Sequence, residues 1–246
     1  MDVPLVMAGA GHSHLVAMRC WAEQGVRAPE GSVLISPGTH AWYSGMMPGL
    51  LAGRFHVEQC AIDLRPLADS VGLRMVYGDI SAMNADRQKL VLSNKHTLAY
   101  QLLSINTGSE PPAPKNDGSV PLEPAKPFAN FFQRWQLWRQ EPPGEIVVLG
   151  GGPAAFELVL ALQWKLPTTG FRLICAEELL SGQPVALQQA AAALMREREI
   201  ECLPDTAISN IRDGQLWSGG KVVAPPDAVV LATGAAPLPW YACSAL

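Results

Sequence analysis

Two short segments of this 246-residue chain repeat one pattern, and that pattern leaves few folds open. Leu5-Val6-Met7-Ala8-Gly9-Ala10-Gly11 and Ile146-Val147-Val148-Leu149-Gly150-Gly151-Gly152 are each an apolar run closing on Gly-x-Gly. Each precedes a stretch of helical periodicity, Leu15 to Trp21 and Phe156 to Leu162. Gly9 and Gly150 stand 141 positions apart, as do Gly11 and Gly152. A second echo follows: 102–108 and 228–234 read as short buried strands that both end in Thr-Gly, at Thr107-Gly108 and Thr233-Gly234. Strand, glycine turn, helix, second strand (32–36 and 171–175) and closing strand make one α/β nucleotide-binding unit, present twice. The predicted fold is therefore α/β, with two Rossmann-like units, each a three-layer parallel sheet with crossover helices.

The glycine turns carry the chemistry. In a dinucleotide turn the first glycine permits a tight bend and the second lets backbone approach a pyrophosphate, which rests on the free N–H groups of a helix start. Gly9 and Gly11 fill these roles in the first unit, Gly150 and Gly152 in the second. The third small residue is Ala155 in one motif and His14, a departure, in the other. The second strands end on Ser36 and Cys175, where an acidic ribose ligand is usual. Ser36 still offers a hydroxyl, and Glu177 and Glu178 follow Cys175. NADH and NADPH both stay open, with the lack of an arginine at that strand end favouring NADH. His12 and His14 form an H-x-H pair, but no third ligand stands near, so phosphate contact or helix capping by His12 is preferred to a metal.

Composition narrows the class. Hydrophobic residues make up 48% and charged residues 16% of the chain, which describes a core-rich globular protein. A net charge of −4 gives nucleic-acid binding no electrostatic footing. The five cysteines, Cys20, Cys60, Cys175, Cys202 and Cys243, are scattered, which argues against a disulfide framework or zinc site and for a reducing, cytoplasmic setting. Residues 146–162, the most apolar stretch, are cut by three glycines and a proline and read as strand, turn and helix rather than a membrane span. Between the units, six of the eighteen residues 110–127 are proline, which predicts an extended connection. Phe128, Phe131, Phe132, Trp135 and Trp138 then fall at helical spacing, as on a helix packing one aromatic face.

The order of glycine motifs and Thr-Gly turns resembles the pyridine nucleotide-disulfide oxidoreductase superfamily. The stretches Gly9-Ala10-Gly11-His12-Ser13-His14-Leu15 and Tyr43-Ser44-Gly45-Met46-Met47-Pro48-Gly49-Leu50-Leu51-Ala52-Gly53 are similar to the branch related to type II NADH dehydrogenases, found alone or fused to selenide, water dikinase. The resemblance implies that residues 1–109 form an FAD-binding domain, 110–143 the connection and aromatic helix, 144–234 an NAD(P)H-binding domain and 235–246 the start of a return segment. Gly9, Gly11 and His12 would meet the FAD pyrophosphate, Ser36 the adenosine ribose and Ile80 the adenine, while Thr107 and Gly108 line the flavin side of the crossing. Gly150, Gly152 and Ala155 would cradle NAD(P)H, with Glu157 toward the nicotinamide and Thr233 and Gly234 at the second crossing. Tyr43, Met47 and Pro48 would face the flavin, with Pro48 in the first turn of a helix. That segment holds no cysteine, so a dithiol relay is excluded.

The implied activity is an FAD-dependent NAD(P)H oxidoreductase that passes a hydride to flavin and then electrons to a quinone or other small acceptor. Peripheral membrane binding or a homodimer belongs to the full-length form, and a partnership with selenide, water dikinase follows from the resemblance alone. The family's chain continues past its second Thr-Gly with a Gly-Asp motif that contacts the flavin; none follows Gly234, so the FAD domain is expected to be incomplete. A truncated, non-catalytic dinucleotide-binding module is the competing expectation.

Overall fold

The structure, a computed structural model, describes residues 2–242 and 244; Cys243 lies outside the described residues. The chain begins β1 (Val3–Ala8), α1 (His12–Glu23), β2 (Val33–Ser36) and β3 (His40–Trp42), then α2 (Met47–Leu51), α3 (Val57–Cys60) and β4 (Ala61–Asp63). It continues through α4 (Leu64–Ser70), β5 (Arg74–Tyr77), β6 (Ile80–Asn84), β7 (Lys89–Leu92) and β8 (Thr97–Ile105). Next come β9 (Lys115–Asn116), β10 (Leu122–Pro124), α5 (Phe128–Trp138), β11 (Glu145–Leu149), α6 (Pro153–Lys165) and β12 (Gly170–Ile174). The last elements are α7 (Val185–Glu197), β13 (Glu201–Leu203), β14 (Asn210–Arg212), β15 (Gln215–Ser218), β16 (Lys221–Ala224), β17 (Ala228–Leu231) and α8 (Pro239–Ala242). Packing gathers them into two units, one made of Met1–Tyr43, Glu58–Ser109 and Pro237–Leu246 and the other of Ser44–Val57 and Glu110–Ala236.

The first unit is built on a sheet of order β5-β2-β1-β8-β7-β6. Strands β5, β2, β1 and β8 run parallel, whereas β7 and β6 add antiparallel edges. A strand buried on both faces must be apolar at successive positions, which explains the unbroken runs in β1 and β2. Leu5, Met7 and Leu34 join Leu15 and Met18 of α1 and Leu64 and Ala68 of α4 in one core. Val6, Ala8, Val33 and Ile35 turn to the other face and meet Met83, Leu90, Leu92 and Trp240. Antiparallel strands and α8 therefore supply the third layer where crossover helices were expected. The end of β8 also differs from the buried strand read in the sequence: Leu102 is 62% exposed.

The second unit repeats the plan. Its sheet, β10-β17-β11-β12-β13, is wholly parallel, and α6 lies against β11 and β12. On the opposite face Val147, Leu149, Val229 and Leu231 pack against Ile211, Leu216 and Ala224 of a small second sheet, β16-β15-β14-β9. The proline-rich segment is more than a connection, because β9 and β10 are edge strands of these two sheets. Pro124 ends β10 on an edge, where its missing N–H removes no bond from a sheet interior. All five aromatic residues at helical spacing in α5 are buried, and Arg134 of α5 pairs with Glu123 of β10 at 2.6 Å.

Candidate dinucleotide-binding site

The two glycine turns are built alike. In the first, Gly9 N–H donates to the Ile35 carbonyl (2.8 Å) and Asn106 N–H to the Ala8 carbonyl (2.7 Å), which stitches the end of β1 to both neighbours. In the second, Gly150 N–H donates to Ile174 (2.9 Å) and Ala232 N–H to Leu149 (2.8 Å). Gly9 (φ +87°) and Gly150 (φ +143°) adopt backbone that side chains disfavour, and a Cβ on either would drive into the carbonyl of Asn106 or Ala232. The residue before each Thr-Gly pair is thus what makes the first glycine of each motif obligatory.

Gly11 and Gly152 are the N-caps of α1 and α6, and neither cap makes a side-chain hydrogen bond. The first turns carry no acidic residue, so the unpaired N–H groups stay suited to an anion. Nothing lies within 4 Å of a Cβ placed on Gly152, leaving that backbone open to a ligand. Beneath Gly11, the buried Asn106 Oδ1 has no hydrogen-bond partner, a cost of about 1–3 kcal/mol of the sort that functional sites retain. Glycine cradles, open helix starts and an orphaned buried acceptor together fit a dinucleotide.

The third motif positions diverge. Ala155 is fully buried, its Cβ 3.0 Å from where a Cβ on Gly150 would stand, so a larger side chain would push α6 off β11. His14 is 4% exposed and bonds twice: Nδ1 to the Gly9 carbonyl at 2.7 Å and Nε2 to Ser104 Oγ at 2.8 Å. Burial holds its pKa below the usual histidine value, against the opposing pull of the Gly9 carbonyl. Both ring nitrogens are engaged, which leaves none for a metal. His12 is exposed at the start of α1, its ring 5.6 Å from that of Tyr43.

Other expected residues fall around the turns. Ser36 is buried at the end of β2, with its carbonyl accepting from Gly78 N–H, and Ile80 opens β6 half-buried. Thr107 Oγ1 lies 3.0 Å from the Tyr241 hydroxyl, and Gly108 (φ +81°) is open. In the second unit Thr233 Oγ1 donates to the Pro112 carbonyl at 2.6 Å, Gly234 (φ +110°) faces open space and Glu157 is exposed on α6. Tyr43 is 45% exposed in the first unit. Met47 is buried and Pro48 stands in the first turn of α2, but this segment packs within the second unit, where α2 lies against α6 and the Phe55 ring covers Gly49.

Asn106, Cys175 and Tyr241 act at these turns and were not singled out as site residues by the sequence. In the sequence Cys175 stands where an acidic ribose ligand is usual, yet its Sγ lies 3.5 Å from the Gly150 carbonyl. The neighbouring Cys202 thiol, with burial, pushes the Cys175 thiol well above the usual range. For Asn106 the only signal was its place before Thr-Gly, and for Tyr241 there was none.

The profile of the family described as pyridine nucleotide-disulphide oxidoreductase matches residues 5–241. Among solved structures, the reduced Bacillus anthracis CoADR-RHD aligns with a TM-score of 0.75 and 15% identity over 99% of this chain and 46% of its own. The water-forming NADH oxidase from Lactobacillus brevis bound to NADH gives 0.73 and 17%, over 95% and 54%. The sulfide:quinone oxidoreductase from Aquifex aeolicus gives 0.72 and 17%, over 97% and 60%. The chain thus spans about half the length of the solved structures it matches.

Proposed function

This chain belongs to the pyridine nucleotide-disulphide oxidoreductase family, and from that premise we propose that it is an FAD-dependent NAD(P)H oxidoreductase working without a redox disulfide. The observation that carries the proposal is the pair of equivalent glycine turns, each with an uncapped helix start and no acid in its first turn. Bound flavin would supply the hydride-accepting chemistry. The chain's own residues bind and orient. Gly9, Gly11 and His12 hold the FAD pyrophosphate, with Ser36, Ile80, Thr107 and Gly108 around the rest of that cofactor. Gly150, Gly152 and Ala155 receive NAD(P)H, with Glu157, Thr233 and Gly234 beside it, and Tyr43 faces the flavin.

No cysteine lies in 43–53, and the next in sequence, Cys60, is buried with its thiol pushed up by that burial, so neither that segment nor Cys60 offers a thiolate for disulfide exchange. Electrons then leave to a quinone or another small acceptor. NADH is favoured over NADPH, because no arginine stands at the end of the second strand to meet a 2′-phosphate: Arg172 lies within the strand, tied to Glu145 (2.9 Å) and Glu201 (2.7 Å), and Glu177 follows it. No helix among the described residues is long and apolar enough to cross a membrane. A cytoplasmic place, with peripheral membrane binding, a homodimer or selenide, water dikinase as partner of a longer form, completes the proposal.

Anaerobic stopped-flow mixing of the FAD-reconstituted chain with NADH tests it. Bleaching of the flavin band, faster with NADH than with NADPH, is the expected result. Tight nucleotide binding with no bleaching would replace the enzyme by a dinucleotide-binding module.

A further inference from the structure

We propose that each unit holds the carbonyl of its first motif glycine with a buried side chain, and that His14 is the positioning residue that does so in the cofactor-retaining first unit. The inference rests on the assignment of FAD to that unit. A carbonyl only accepts, so the 2.7 Å contact to Gly9 requires the proton on His14 Nδ1. In the neutral ring Nε2 then carries a lone pair and accepts from the Ser104 hydroxyl at 2.8 Å. Ser104 lies on β8, two residues before Asn106, whose carbonyl accepts from Gly11 N–H at 3.0 Å. The Gly9 carbonyl and the Gly11 amide are thereby both anchored to the closing strand, and the backbone between them is fixed before any ligand arrives.

The second unit solves the same problem from another position. Ala155, which takes the place of His14, has no donor, and the Gly150 carbonyl is met instead by Cys175 from the end of β12. That contact is the weaker one: it is 3.5 Å long and its donor is a thiol, a weak hydrogen-bond donor. The residue matching Cys175 in the first unit, Ser36, makes no such bond to Gly9, whose carbonyl His14 already occupies. Two different side chains at non-equivalent positions thus converge on the same backbone group. The firm hold falls in the unit assigned the retained cofactor and the loose hold in the unit assigned the exchanging nucleotide, in line with preorganisation lowering the cost of binding.

Conservative variants separate the two contacts of His14. Asparagine keeps a donor near the Nδ1 position and glutamine keeps a polar group near Nε2, so His14→Asn retains the bond to Gly9 and His14→Gln only the bond to Ser104. FAD affinity of the chain, read by flavin fluorescence quenching, is expected to stay within about threefold for His14→Asn and to weaken about tenfold for His14→Gln and His14→Ala, the size of one buried hydrogen bond. NADH binding should stay unchanged in all three, which shows that the second unit is intact.

Equal FAD affinity in every variant, or retention by His14→Gln and loss by His14→Asn, overturns the proposal. If His14→Ala or His14→Gln unfolds, the wild type and Ser104→Ala decide through imidazole 15N shifts, which must show the Nδ1–H tautomer in both; the other tautomer in the wild type refutes it. If the wild-type chain binds no FAD, the flavin assignment fails, and the hold on Gly9 is judged alone: the Gly11 amide resonance must stay in place in His14→Asn and move in His14→Ala, and the reverse overturns it.

Discussion

At the scale of single residues, the two kinds of glycine in each motif make different predictions. Gly9→Ala places a Cβ against the Asn106 carbonyl in left-handed backbone, so it should cost about 3 kcal/mol in urea denaturation and abolish flavin binding. Gly152→Ala meets nothing within 4 Å, so the fold should be unchanged while NADH affinity falls as measured by fluorescence titration. His14 adds a pH dependence. Its folded pKa is lowered from 6.5, so the unfolded chain binds its proton more readily. The stabilisation is complete above pH 6.5 and is lost as pH falls below that value. Denaturant midpoints of the wild type should therefore decline on that acid limb, and His14→Asn, which has nothing to titrate, should flatten it.

At the scale of elements, the glycine turns depend on what lies behind them. The continuous apolar runs of β1 and β11 were legible as strands buried on both faces. What covers the second face was not, since β-hairpins and crossover helices bury an apolar strand equally well. The aromatic helix α5 was legible because five large rings recur at helical spacing, and the structure buries all five. Phe131, fully buried with its ring 6.0 Å from Trp138 in an edge-on contact, anchors it. Phe131→Ala should cost about 3–5 kcal/mol in chemical denaturation of the second unit. A cost under 1 kcal/mol would mean that α5 is dispensable to that core.

At the scale of the whole molecule, the proposed function assigns each of the two units its own ligand. Ligand binding stabilises only the fold that holds it, by about 2.7 kcal/mol at a hundred times the dissociation constant. Hydrogen exchange should show this directly: FAD slows exchange in β1, β2 and β8, while NADH slows it in β11, β12 and β17. Protection of one set by both ligands would contradict the assignment of one dinucleotide to each unit.

The sequence alone determined the duplicated plan, because a Gly-x-Gly between an apolar strand and a helix is a local demand that periodicity and turn chemistry state in adjacent residues. It also singled out Gly9, Gly11, Gly150 and Gly152 as the turn positions. Only the tertiary structure decided what holds those turns: Asn106 beneath Gly9 and Gly11, His14 joined to Ser104 ninety positions away, and Cys175 reaching back to Gly150. It likewise decided that Ser44–Val57 packs with the second unit and that Trp240 and Tyr241 belong to the first. The physical reason is common to all of these. A buried polar group must find its partner in space, and partners brought together by chain crossings leave no periodic trace in the order of residues.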